Sequence, residues 1–88
     1  MRKGQTESGF KFVIDETDLD DMEFIELLAD AQEDALKFPK VVERLLGKEQ
    51  KAKLYDHVRT ENGRVPIEAI SNALTEIMVA AGEDTKNS

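Results

Sequence analysis

The sequence predicts a mainly α (α+β) fold: a small four-helix domain with a β-hairpin at its N-terminus. Three observations carry this reading. "GFKFVIDE" alternates with a period of two, putting Phe10, Phe12 and Ile14 on one face and Lys11 and Val13 on the other, as a half-buried strand does. In the following stretches, apolar residues recur three and four positions apart, the spacing of an amphipathic helix. Pro39, Gly47, Asn62-Gly63, Pro66 and Gly82 then punctuate the helical pattern where helices start and stop.

Residues 1–9 are polar, and 1–7 are expected to be partly mobile. A lone strand would leave its backbone groups unpaired. Its cheapest partner is the preceding segment, folded back through Glu7-Ser8-Gly9 with Gly9 in the bulge position. A two-stranded hairpin is marginal alone, so its Phe face must pack on helices or on another subunit. In "TDLDDMEFIELLADAQEDA", Thr17 or Asp18 is the expected cap, and Asp20, Asp21 and Glu23 suit the positive end of the helix dipole. Met22, Ile25, Leu28 and Ala29 form one apolar stripe, which Phe24, Leu27 and Ala31 widen. So wide a face predicts contacts on two sides. Phe24, Leu27 and Leu28 are therefore the candidate partner-binding residues, the alternative being that the same side chains are simply core.

"FPKVVERLLG" reads as a short helix opened by Pro39 and closed by Gly47, burying Val41, Val42, Leu45 and Leu46. "KEQKAKLYDHVRTENG" is mostly polar, with Leu54, Tyr55 and Val58 facing inward. The last helix runs from Pro66 to about Ala81, with Ile67, Ile70, Leu74, Ile77, Met78 and Ala81 on one face and Gly82 as its stop. Residues 83–88 are expected to be a disordered tail. The core is expected to centre on Ile25, Leu28, Leu45, Leu54, Val58, Ile70, Leu74 and Ile77.

At 88 residues the chain is read as one domain. Folding a chain of this size buries only about 60–65% of its unfolded surface, so stability is modest. There is no Cys and a single His, which excludes disulfides, thiolate metal sites and multi-His sites. No apolar run approaches the ~20 residues of a membrane span, and the N-terminus lacks a signal-peptide core, predicting a soluble intracellular protein. The net charge of −7 disfavours general nucleic-acid binding. Its distribution is uneven: Asp15 to Asp34 holds ten acids and no Lys or Arg, while Lys37 to Arg64 holds eight basic residues against four acids. These runs are either solvated helix faces or complementary surfaces for self-association.

"RTENGRVPIEAI" superficially resembles a calcium loop around Asn62-Gly63. An EF-hand needs an acid at its first position and a bidentate Glu at its twelfth. With Gly63 sixth, those positions are Val58 and Ala69, so the stretch reads as a helix–turn–helix connection in which Asn62 and Gly63 are left-handed. The acids Asp18, Asp20 and Asp21 serve the helix dipole more readily than a metal. Asp56 and His57 are sequence neighbours, which do not face each other on a helix, and no activated nucleophile is apparent. No catalytic, cofactor or metal residue is assigned. "VVERLLGKEQKAKLYDHVR" could alternatively be a helix-turn-helix nucleic-acid reader using the basic 37–64 segment, although no clear recognition set begins its second helix.

The order of "SGFKFVIDE", "LDDMEFIELLAD", "LLGKEQKAKLYDHVRTENGRVPIEAI" and the final "KNS" resembles the small tail-assembly chaperones of long-tailed bacteriophages, particularly those of Gram-positive hosts. The resemblance covers residues 8 to 88. It implies a non-enzymatic protein of the host cytoplasm that coats the aggregation-prone tape-measure protein until the tail tube polymerises, and that is absent from the finished virion. It also implies a longer frameshift product able to recruit tail-tube protein. Thr85-Lys86-Asn87 is compatible with the codons ACA-AAA-AAC, which contain the slippery run A-AAA-AAC.

Overall fold

The alternating Phe10–Ile14 segment pairs with the chain just before it. In the computed structural model, which describes residues 2–86, β1 (Arg2–Gln5) and β2 (Lys11–Ile14) form an antiparallel hairpin. The Thr6 carbonyl accepts from Gly9 N–H at 3.0 Å, and Thr6 N–H donates to Phe10 O at 2.9 Å. Gly9 adopts φ 96°, the left-handed bulge residue that such a turn requires. Thr6 is itself buried, and its hydroxyl accepts from Phe10 N–H at 3.2 Å. The period-two pattern is realised: Phe10, Phe12 and Ile14 are buried while Lys11 is exposed. Residues 2–5, expected within the mobile N-terminal stretch, are strand residues.

Gly4 lies opposite Phe12 in the register, and the Phe12 ring folds across it. A Cβ at Gly4 would sit 2.5 Å from the tip of that ring. Because the ring belongs to the buried core cluster, its retreat would disturb the packing around it. Gly4→Ala is expected to cost about 1–3 kcal/mol, as overpacking does, measured by urea unfolding. Unchanged stability would show that the ring does not cross the strand at this point.

After β2, a 3₁₀ turn (Glu16–Leu19) leads into α1 (Met22–Glu33), a second 3₁₀ turn (Ala35–Lys37) into α2 (Phe38–Val58), and a loop into α3 (Ile67–Lys86). The fold is thus mainly helical with an N-terminal hairpin, but the described residues form three helices where four are expected. The reason lies at Gly47, whose φ of 81° and ψ of 164° leave the helical region. That conformation is essentially restricted to glycine. The expected helix stop becomes a one-residue kink, and helical geometry resumes at Lys48.

Other boundaries also shift. Asp21, rather than Thr17 or Asp18, caps α1 by accepting from Glu23 N–H at 3.0 Å. Asp15 caps the preceding 3₁₀ turn, accepting from the Thr17 hydroxyl at 2.7 Å and the Thr17 amide at 3.0 Å. Those two bonds, the hydroxyl's first, hold its carboxyl below the usual value. The ionised form is therefore the capping form, and its contribution is lost as pH falls through that lowered pKa. In the α2–α3 connection Gly63 has φ 80°, whereas Asn62 is not left-handed. The turn closes through Thr60 and Arg64, with Thr60 N–H donating to Arg64 O at 2.8 Å. The last helix passes Gly82 and reaches Lys86; a helical Gly costs only about 1 kcal/mol relative to Ala, too little to stop it unaided. Asn87 and Ser88, from the expected tail, lie outside the described residues.

One contiguous cluster forms the core: the Phe face of β2, Phe24 of α1, Val41, Val42, Leu45, Leu46 and Leu54 of α2, and Ile70, Ala73, Leu74 and Ile77 of α3. Leu45, Leu54, Ile70, Leu74 and Ile77 match expectation. Ile25 does not; it is 43% exposed. Two stripes overlap in the α1 sequence, and a helix has one inward face. The face used carries Phe24, Leu27, Leu28 and Ala31, which turns Ile25 and Met22 toward solvent. Leu28 and Val58 are half-buried and pack on the cluster from outside.

Gln50, which no sequence pattern distinguishes, ties the hairpin to α2. Its carboxamide oxygen accepts from Val13 N–H at 2.7 Å, and its nitrogen donates to Val13 O at 2.6 Å and to Leu46 O at 2.8 Å. The side chain acts as a third strand one residue long, covering the outer edge of β2. Gln50→Ala is expected to cost about 1–3 kcal/mol by leaving partly buried backbone groups unpaired. Hydrogen exchange at the Val13 amide should accelerate in that variant. An unaltered Val13 exchange rate would mean that Gln50 does not hold the edge.

Candidate functional site

α1 packs on α2, and α3 packs on α2 and β1. This arrangement leaves a cleft between α1 and α3. Leu28 and Ala31 form one wall, Ile67, Met78 and Val79 the other, with Phe38 and Leu74 below. The cavity volume is about 670 Å³, within the range of binding sites. Its polar liners are Gln32, Ser71 and Thr75, and no lining side chain is ionisable. Such a surface can hold apolar groups; it offers no general acid or base.

The cleft is open to solvent. Ile67 is 70% exposed, Val79 52% and Leu36, which stands between the lining residues Ala35 and Phe38, 87%. The sequence places Ile67 on the inward face of the last helix, and its exposure cannot be read from helical spacing. A continuous apolar surface on a small protein commonly marks a binding site. Among the three candidate contact residues, Phe24 is completely buried and serves the core, Leu27 is half-buried, and Leu28 lines the cleft. The wide apolar face of α1 does therefore meet two surroundings, the core and the cleft.

The charged segments meet within the chain. Arg44 of α2 pairs with Asp21, and Lys37 with Asp30 at 3.6 Å. Along α2, Lys51 pairs with Glu43 at 3.1 Å and Lys53 with Glu49 at 3.5 Å, while Arg59 pairs with Asp56 at 3.1 Å. Lys51, Lys53 and Arg59, which a helix-turn-helix reader would offer to phosphates, are thus engaged internally, and Gln50 is committed to the hairpin. A second, shallower hollow lies where Lys3 and Lys11 of the hairpin approach Lys53.

His57 is exposed, and its Nε2 lies 3.2 Å from Ser8 Oγ and 3.0 Å from Ser8 O. Its ring sits 5.8 Å from that of Phe10, so it secures the hairpin turn, while Asp56 turns to Arg59. Among the described residues there is no group of three or more His, Cys, Asp or Glu side chains placed to hold a metal. No helix among them is long and apolar enough to cross a membrane. Neither a protein family, nor a curated protein, nor a solved structure matched this chain.

Proposed function

We propose that this protein is a non-enzymatic tail-assembly chaperone that binds and solubilises the tape-measure protein during phage tail morphogenesis. The order of sequence blocks supports the family, and the open apolar cleft between α1 and α3 is the observation that carries a binding role. A long partner with apolar stripes aggregates because those stripes find one another. Covering them with a domain of net charge −7 replaces an apolar surface with a strongly hydrated one. The chaperone works in the host cytoplasm and leaves before the virion is complete.

Co-expression tests this directly. The tape-measure protein is expected to move from the insoluble to the soluble fraction and to co-purify with the chaperone. No gain in solubility, together with duplex DNA binding that weakens steeply with salt, would replace this reading with the nucleic-acid one. The acidic and basic segments further suggest self-association on the partner; oligomer size should then fall as salt rises, since exposed charges are screened beyond about 8 Å at physiological ionic strength. The longer product follows from codons 85–87: an uninterrupted A-rich run and an extended chain in mass spectra of infected cells are expected. AAG at Lys86, without an extended chain, would remove the frameshift and leave the chaperone reading standing.

A further inference from the structure

We infer that the outer face of the hairpin docks on the acidic back of α1 of a second copy of this chain. The inference rests on the self-association suggested above, moves its basic side from residues 37–64 to the hairpin, and needs nothing from the tape-measure partner. The register sets Lys3 opposite Val13 and Gln5 opposite Lys11. Side chains alternate across a strand, and Phe12 and Ile14 are buried, so Lys3, Gln5, Lys11 and Val13 share the outer face. Lys3 and Lys11 are diagonal neighbours there, about 7–8 Å apart. With Lys53 they line a hollow of about 740 Å³, to which half-buried Val13 also contributes. The charge of Lys53 is met by Glu49 at 3.5 Å. Lys3 and Lys11 are exposed and form no ion pair among the described residues. In a chain of net charge −7, two neighbouring cations without counter-charges attract an acidic surface.

The chain itself carries such a surface. α1 turns Phe24 into the core, and Glu26 and Glu33, seven residues apart, lie on its solvent-facing back. Glu23, three residues before Glu26, extends the stripe to about 15 Å. These three acids are exposed and form no ion pair among the described residues. Met22, 71% exposed and four residues before Glu26, adds an apolar side chain to the same stripe, to meet Val13. Within one molecule the two surfaces stay apart, because the back of α1 faces away from the core that the hairpin covers. Hairpin against hairpin, or α1 against α1, would oppose like charges. The contact is therefore heterologous, joining copies head to tail with one hairpin and one α1 left over at the ends.

Sedimentation velocity of the full chain, over a range of concentrations at low salt, tests this with charge reversals at exposed positions, folding being checked by circular dichroism. The wild type is expected to grow beyond a monomer as concentration rises. Lys3→Glu with Lys11→Glu, and separately Glu26→Lys with Glu33→Lys, should each weaken association at least about tenfold. The second variant shifts the net charge from −7 to −3, so general repulsion between molecules would fall and association would strengthen if net charge alone governed it. An equimolar mixture of the two variants should recover association to within about threefold of wild type, since each then meets the opposite sign on its neighbour. Val79→Asp, in the α1–α3 cleft, should leave association unchanged.

A wild type that stays monomeric, either double variant associating like the wild type, or a mixture that stays dissociated would each overturn the inference. So would association abolished by Val79→Asp, which would move the contact to the cleft. Any of these results leaves the chaperone reading to its own test, solubilisation of the co-expressed tape-measure protein. Failure of that solubilisation, with the variants and their mixture behaving as expected, would remove the chaperone and leave the head-to-tail contact.

Discussion

Phe24→Ala is expected to destabilise the fold by about 3–5 kcal/mol, the cost of removing a buried aromatic ring from a packed core. The ring is completely buried, and it is the α1 side chain within the cluster that also contains Val41, Val42 and Leu45 of α2. No other side chain of α1 is fully buried. A chain of 88 residues has a total stability of roughly 4–13 kcal/mol. At the lower end of that range the loss leaves the variant partly unfolded at room temperature, with α1 released from α2 first. Chemical denaturation followed by circular dichroism measures the loss. A cost below about 1 kcal/mol would mean that α1 is held by its ion pairs and caps, which exposed pairs are too weak to do.

Leu74→Ala is expected to cost about 2–5 kcal/mol, with a functional consequence that Phe24→Ala lacks. Leu74 belongs to the core and also to the floor of the cleft. Its removal deepens the trough under any bound apolar stripe. Solubilisation of the co-expressed tape-measure protein should weaken even at temperatures where the variant remains folded. Leu74→Met, which nearly conserves volume, should cost less than about 1.5 kcal/mol and restore binding. Loss of stability with undiminished solubilisation would place the partner's contact away from Leu74. Stability unchanged within about 1 kcal/mol would mean that α3 does not pack through this residue.

Where a residue's environment follows from its neighbours in the chain, sequence and structure agree. Phe10, Phe12 and Ile14 are buried because strand geometry sends alternate side chains to opposite faces, whatever covers them. Gly9 sits in the bulge because a tight turn there needs positive φ. The inward row of α3 follows from helical spacing, and Ile70, Leu74 and Ile77 are all buried. The candidate site was less legible. The sequence groups Phe24 with Leu28, yet only Leu28 lines the cleft, because a wide apolar stripe does not reveal which of its edges meets the core. Ile25 joins the expected core for the same reason, although it is exposed.

By itself, then, the sequence determined the hairpin, the helical composition, the apolar rows and the segregation of charge, all consequences of local geometry and residue type. Only the tertiary structure decided how those rows are shared among neighbours. At Gly47 the chain bends without ending its helical course, a choice left to packing because glycine tolerates both outcomes. Gln50 closes the edge of β2 from far along the chain, an arrangement that no local pattern records. The separation of α1 from α3 is likewise a property of where α2 seats each of them. It leaves Ile67 and Val79, members of an apolar helix, facing solvent across an open cleft, since burial depends on which surfaces meet and not on hydrophobicity alone.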